Sequence, residues 1–236
     1  LSKGAVMAYS AELYRIDGRI SYDRAKLFGK VIHSLSPAQK AALDALKALN
    51  GVGHWNNALS DPLRAIGLSR DVNVAVMTYA SELYAWYAGS VTSDVYFCPE
   101  RHGTYFGSFY LKDWPAMGNP NYTINEQLTA SAGQDFLAAL STAQANQVKG
   151  IVELQRSALL ELVNQRQAIA TELRKFLASQ TADSSSVESL SARYGELDGE
   201  ISYYYATTFT QVYHSLSADP KGRLVSLAHE LGYIDP

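Results

Sequence analysis

The sequence predicts an all-α fold: a bundle of long antiparallel helices with an internal helix–turn–helix repeat, interrupted by a Tyr-, Gly- and Pro-rich loop region. Three observations carry the prediction. Apolar residues recur at spacings of three, four and seven over most of the chain, the period of a helix with one apolar face. The helix-starting phrase Leu-Ser-x-x-Gln stands at residues 35–39 and again at 140–144. Val31-Ile32-His33-Ser34-Leu35-Ser36 returns as Val212-Tyr213-His214-Ser215-Leu216-Ser217, an offset of 181 residues. At that same offset Asp17-Gly18, Ile20-Ser21-Tyr22, Ala25 and Phe28 recur as Asp198-Gly199, Ile201-Ser202-Tyr203, Ala206 and Phe209. So many identities without a gap mark two copies of one unit.

The elements follow in order. Residues 5–33 read as a helix in which Val6, Leu13, Ile16, Ile20, Leu27 and Val31 share one face. Gly18 interrupts it at a cost of about 1 kcal/mol; its recurrence as Gly199 points to close approach by a neighbouring helix. Ser36 is a good N-cap, Pro37 suits the first helical position, and Gln39 completes a capping box, so a second helix runs from 37 to 49. A further helix begins near Asp71. After Gly89 the chain leaves helical pattern for a stretch dense in Gly, Pro and aromatic residues, with a short β-hairpin expected around 105–111. Ser141 and Gln144 then open the longest periodic stretch, whose stripe is Val148, Val152, Leu159, Leu162, Ile169, Leu173 and Leu177. As one helix it would extend roughly 55 Å. The Gln144 side chain is expected to matter less than Ser141, its partner amide staying wet. The polar run 181–186 ends that helix and caps another, with the stripe Leu190, Tyr194, Leu197, Ile201, Thr208 and Val212. Two long helices joined by a short turn pack as an antiparallel hairpin. The third capping phrase, at Leu216-Ser217, has Pro220 in place of the glutamine. The organisation is thus a single helical domain over 1–236. It comprises a first copy in 1–50, an insertion in 51–136 with an aromatic loop at 90–127, and the hairpin plus second copy in 137–236.

Composition narrows the function classes. A net charge of −3, with 20 basic and 23 acidic residues interspersed, offers no basic face for nucleic acid. No run of about 20 apolar residues exists to span a membrane. The single Cys98 excludes an internal disulfide and a Cys-rich zinc site. Sixteen tyrosines, each hydroxyl needing a partner when buried, predict a hydrogen-bonded core. The chain starts at Leu1, which suits a cleaved signal peptide or a trimmed start equally.

The densest set of reactive side chains is Cys98-Pro99-Glu100-Arg101-His102. Thiolate, carboxylate and imidazole within five residues, with Asp113 in loop reach, are donors that suit copper or zinc. Tyr96, Tyr105, Phe106, Phe109 and Tyr110 would shield such a centre from water. The competing reading is a buried thiol with Glu100 and Arg101 paired for structure. His33 and His214 fall at helix C-termini, where the dipole and free carbonyls favour a structural role. His229-Glu230 lacks the second histidine of a zinc-protease helix, and no phosphate loop, dinucleotide fingerprint or nucleophile elbow is present.

Leu-Ser-x-x-Gln opening a long helix rich in Gln and Arg (Gln155-Arg156, Gln165-Arg166-Gln167), then a second long helix ending at another Leu-Ser turn, resembles the LTxxQ-motif periplasmic helical proteins of the Spy, CpxP and ZraP kind. The likeness covers residues 137–232 and, as a second copy of the rear half, 5–50; Ser stands where that family prefers Thr, and the third phrase lacks its Gln. The resemblance implies a periplasmic or secreted, non-enzymatic helical binding protein, chaperone-like or metal-responsive. Its partners would be other proteins or unfolded clients, and an oligomer stays open beside the monomer. Two alternatives stay open: an assembly subunit that docks through its aromatic loop, and a small metal- or haem-dependent oxidoreductase.

Overall fold

In the computed structural model residues 1–48, 65–88, 131–230 and 232 are described; nearly all of them are helical and none lies in a strand. The all-α prediction therefore holds over these residues. The helices are α1 (Lys3–Ser34), α2 (Pro37–Ala48), α3 (Arg70–Ala88), α4 (Ser131–Ala138), α5 (Thr142–Lys149), α6 (Ile151–Arg174), α7 (Ser184–Ser215) and α8 (Ala218–Glu230), with a 3₁₀ turn at Lys175–Ala178. No described helix is long and apolar enough to cross a membrane. The aromatic loop 90–127 and the expected hairpin at 105–111 lie outside the described residues.

Capping chemistry sets the boundaries. Ser2 caps α1, its hydroxyl accepting from the Ala5 amide at 3.4 Å. Between α1 and α2 the Gln39 amide donates to Ser36 Oγ at 3.2 Å, and the Ser36 amide donates to Gln39 Oε1 at 2.8 Å. Ser141 and Gln144 form the same reciprocal box at the start of α5. Gln144 does more than was expected of it. Its Nε2 also donates to the carbonyl and hydroxyl of Ser215 at 3.2 and 2.9 Å, tying the start of α5 to the end of α7. The long helix expected from residue 142 onward is divided at Gly150, which keeps right-handed backbone angles, and closes in the 3₁₀ turn. Ser179 then takes a left-handed conformation (φ 58°), ending the element, and Asp183 caps α7 by accepting from the Ser185 amide at 3.0 Å.

Long helix α7 is packed on two sides. Against it α1 runs antiparallel: Lys3 pairs with Glu200 near one end, and Arg15 with Glu188 at 2.9 Å towards the other. Small residues form the seam. A Cβ on Gly18 would overlap Ser191, and one on Gly199 would lie 2.8 Å from Met7 Cα and 3.0 Å from Ser10 Cβ. Close approach is thus what both glycines permit, as the sequence reading proposed. On its other side α7 meets α5 and α6, also antiparallel, through Gln147 of α5 to Gln211 (3.1 Å), and through Gln155 of α6 to the Ile201 carbonyl (2.9 Å) and Glu161 of α6 to Arg193 (2.8 Å). Leu159, Leu162, Ile169 and Leu173 of α6 join Val187, Tyr194, Leu197, Ile201 and Val212 of α7 in the core, with Ala25, Phe28 and Trp86.

The apolar stripe of α1 is not part of that core. Leu13, Ile16 and Ile20 are 55, 48 and 52 % exposed, and Leu27 and Val31 also face solvent. The buried side of α1 is Ser10, Gly18, Ser21, Ala25, Phe28, Gly29 and Ile32. Backbone proximity decides the choice: the small residues let α7 approach where the larger aliphatic side chains would hold it off.

Candidate functional site

Every residue proposed from the sequence as a metal ligand (Cys98, Glu100, His102 and Asp113) lies outside the described residues. Among the described residues no group of three or more His, Cys, Asp or Glu side chains is placed to hold a metal ion. His33 acts structurally, as its position predicted: Nε2 lies 2.7 Å from the Phe176 carbonyl, and the Ser179 hydroxyl is 3.3 Å from the ring. It fastens the end of α1 to the turn after α6. His214 occupies the last turn of α7, its ring edge-on to Tyr213.

The interior holds polar groups that the sequence reading passed over. Arg166 is fully buried, donating to the Tyr194 hydroxyl at 3.2 Å with its guanidinium 5.9 Å from the centre of that ring, and Tyr14 packs on the same Tyr194 ring at 5.1 Å. Gln155, three core positions earlier, is also buried. Both sit in the gaps of the α6 stripe, since 155, 159, 162, 166, 169 and 173 alternate spacings of four and three. That spacing was the available signal; residue type hid it. Both groups bond to α7, Gln155 to the Ile201 carbonyl and Arg166 to the Tyr194 hydroxyl, and so help to specify the α6–α7 register.

A second buried charge stands on α3. Glu82 is buried, with Arg24 of α1 3.8 Å away, and desolvation pushes its carboxyl above the ordinary carboxylate range despite that cation. Arg24 also lies over the Tyr79 ring at 6.0 Å, so α3 reaches the C-terminal half of α1.

The surface feature that offers binding is the open face of α1. Tyr9 is 77 % exposed and continues the row Leu13, Ile16, Ile20. Beside it runs a shallow groove of about 400 Å³ lined by Leu1, Val6, Tyr9 and Leu13 and floored by Gly199 and Ser202 of α7. Such a lining supplies apolar contact area rather than general acids, bases or ligands. Contiguous exposed apolar surface of this kind marks places where another molecule docks. Comparison with protein-family models, curated proteins and solved structures gave no match.

Proposed function

We propose that this protein is a non-enzymatic helical binding protein, chaperone-like in chemistry, whose working surface is the apolar face of α1 and the groove at its N-terminal end. One observation carries the reading: Tyr9, Leu13, Ile16 and Ile20 stand in a row at helical spacing, about half or more exposed. An apolar segment of a partially unfolded polypeptide is the ligand that such a face suits, because burial gains about 25 cal/mol per Å² without demanding specific donors. The experiment is to measure apolar-dye fluorescence, and the delay of aggregation of a denatured test protein, for wild type and Leu13→Ser. Loss of both in the variant at an unchanged melting temperature supports the reading. A wild type that binds no dye and delays nothing removes it.

The repeat, the bundle and the family resemblance belong to the same proposal. α1 and α7 are each 32 residues long and start 181 apart, at Lys3 and Ser184. Gly18 meets Ser191 while Gly199 meets Ser10, and Ser191 is itself Ser10 advanced by 181, so the two helices meet reciprocally. These matches support two copies packed about an internal two-fold axis. The boxes at Ser36–Gln39 and Ser141–Gln144 support the LTxxQ resemblance, and with it an extracytoplasmic location, which cell fractionation tests. The metal-responsive form of the reading rests on Cys98, Glu100, His102 and Asp113. Metal analysis of purified wild type against a Cys98→Ala, His102→Ala variant decides it; equal metal content in the two excludes these ligands.

A further inference from the structure

We infer that α3 is a proton-latched flap: protonated Glu82 keeps its N-terminal half on α1, and loss of that proton lets this half lift away and uncover Phe28. The inference rests on the reading of the α1 face as the working surface and supplies its regulation, since Phe28 would then join the exposed Leu27 and Val31.

The two ends of α3 are held differently. Towards its C-terminus Trp86 is fully buried in the core, its carbonyl accepts from Arg174 of α6 at 3.1 Å, and the Tyr87 hydroxyl donates to Asp44 of α2 at 2.6 Å. Towards its N-terminus Val72, Val74 and Val76 are exposed, and Tyr79, itself half exposed, meets Phe28 edge-on with ring centres 6.5 Å apart. The helix thus has an anchor at Trp86 and a lighter seat around Tyr79. Glu82 stands between them, one turn before the anchor. A lift that pivots at Trp86 carries Tyr79 off Phe28 and brings Glu82 into water.

Glu82 is the group that senses protons. Its side chain is buried, and Oε2 has no hydrogen-bond partner among the described residues. Of the charged groups on the elements that meet α3, Arg24 of α1 is the one that acts on it, from 3.8 Å, beyond hydrogen-bond reach. Arg174 of α6 and Asp44 of α2 are engaged four and five residues further on, at Trp86 and Tyr87. Ionised here, the carboxylate carries a desolvated charge without a donor, whereas a neutral carboxyl loses much less on burial. Desolvation accordingly raises its pKa above the ordinary range, with Arg24 opposing. Lifted into water, Glu82 ionises at the ordinary value; seated, it keeps its proton up to the raised one. Seating is therefore fully favoured below the ordinary value, weakens as pH rises between the two, and levels off above the raised one.

Hydrogen exchange of the full chain across that pH range tests the latch. Corrected for the intrinsic rise of exchange with pH, opening of the amides of residues 74–80 should increase about tenfold per pH unit within the window, because one proton leaves at each opening. The amides of α6 should exchange more slowly throughout. Glu82→Gln should stay seated, with a level profile. Arg24→Gln removes the cation that favours the ion, so its rise should continue to higher pH before levelling. A level wild-type profile, an equal rise in Glu82→Gln, an Arg24→Gln profile that levels at lower pH, or α3 amides no faster than those of α6 each overturns the inference. The first and last of these outcomes need no variant to fold. Uptake of a neutral apolar dye, measured beside the exchange, separates this inference from the binding reading. Dye uptake that rises with α3 opening supports both. Opening that rises with pH while no dye binds at any pH removes the binding reading and keeps the latch; dye uptake beside a level exchange profile removes the latch alone.

Discussion

α1 and α7 have the same length and, at an offset of 181, share many apolar positions, yet they meet opposite fates. α7 buries Tyr194, Leu197, Ile201 and Val212 against α6 while its Gly–Ser side faces α1. α1 buries its Gly–Ser side together with Ala25, Phe28 and Ile32, and leaves Leu13, Ile16 and Ile20 in solvent. The comparison teaches that periodicity identifies a face, and that the presence of a neighbour decides whether the face becomes core or surface. Propensity and pattern live on the single helix; burial lives on the assembly.

The largest expected effect tests this contrast at paired positions. Ile201→Ala should cost about 2–5 kcal/mol, because the side chain is fully buried and leaves a cavity. Its counterpart Ile20→Ala, half exposed, should change stability by no more than about 0.5 kcal/mol. Denaturant unfolding of both variants is the check; equal losses would mean that the α1 stripe is core after all. The seam between the helices comes next. Gly199→Ala drives a methyl into the Met7 backbone and Ser10, and should cost about 1–3 kcal/mol despite the gain in helix propensity. Gly4→Ala meets nothing within 4 Å and should be neutral or stabilising, by up to about 1 kcal/mol. A destabilised Gly4→Ala beside a neutral Gly199→Ala would refute close packing as the reason for these glycines.

Helix termini come third. Ser141→Ala should cost about 1 kcal/mol by removing the acceptor for the Gln144 amide. Gln144→Ala should cost a comparable amount, not less, because the same side chain also bonds Ser215 across to α7. Thermal melts in which only Ser141→Ala loses stability would reduce Gln144 to a local cap.

Much of the fold was legible because its signals are local. Caps at Ser36 and Ser141, a cap somewhere in the polar run 181–186, the start of α3 within one residue of Asp71, and the role of Gly18 follow from residue type and spacing over a single turn. The orientation of α1 was not legible, since a stripe of Leu and Ile looks the same to solvent as to a neighbour. Arg166 escaped because a guanidinium is read as surface, although its register in the stripe placed it inside. The break at Gly150 escaped because an unbroken stripe runs across it. Of the candidate site, the reactive set Cys98–His102 was the conspicuous feature of the sequence, whereas the apolar face was visible only as a helix face, its exposure being a tertiary property.

The smallest effects sharpen the contrast through charge. The bond that closes α6 onto α7 and the one that brings α3 to α1 titrate in opposite senses. Glu161 accepts two hydrogen bonds from Arg193, and these hold its carboxyl below the ordinary range. Its folded pKa is therefore below its unfolded one. The stability it contributes is complete above the unfolded value and is lost as pH falls through the folded one. Both side chains are about two-fifths exposed, so the pair is worth no more than about 1 kcal/mol. Glu82 is the reverse case: burial raises its pKa, and Arg24 at 3.8 Å is too far for a full hydrogen bond. Between the unfolded value and the raised folded one, the native chain holds a proton that the unfolded chain has released, so stability falls as pH rises through that window. Glu161→Gln should accordingly melt below wild type at neutral pH and converge with it in acid. Glu82→Gln should melt above wild type at neutral pH, with the gap closing as pH falls below the ordinary carboxylate range. Melting curves collected across that range give two differences of opposite sign. Differences of the same sign would mean that α3 closes on α1 by ion pairing, as α6 closes on α7, and that the two contacts are alike.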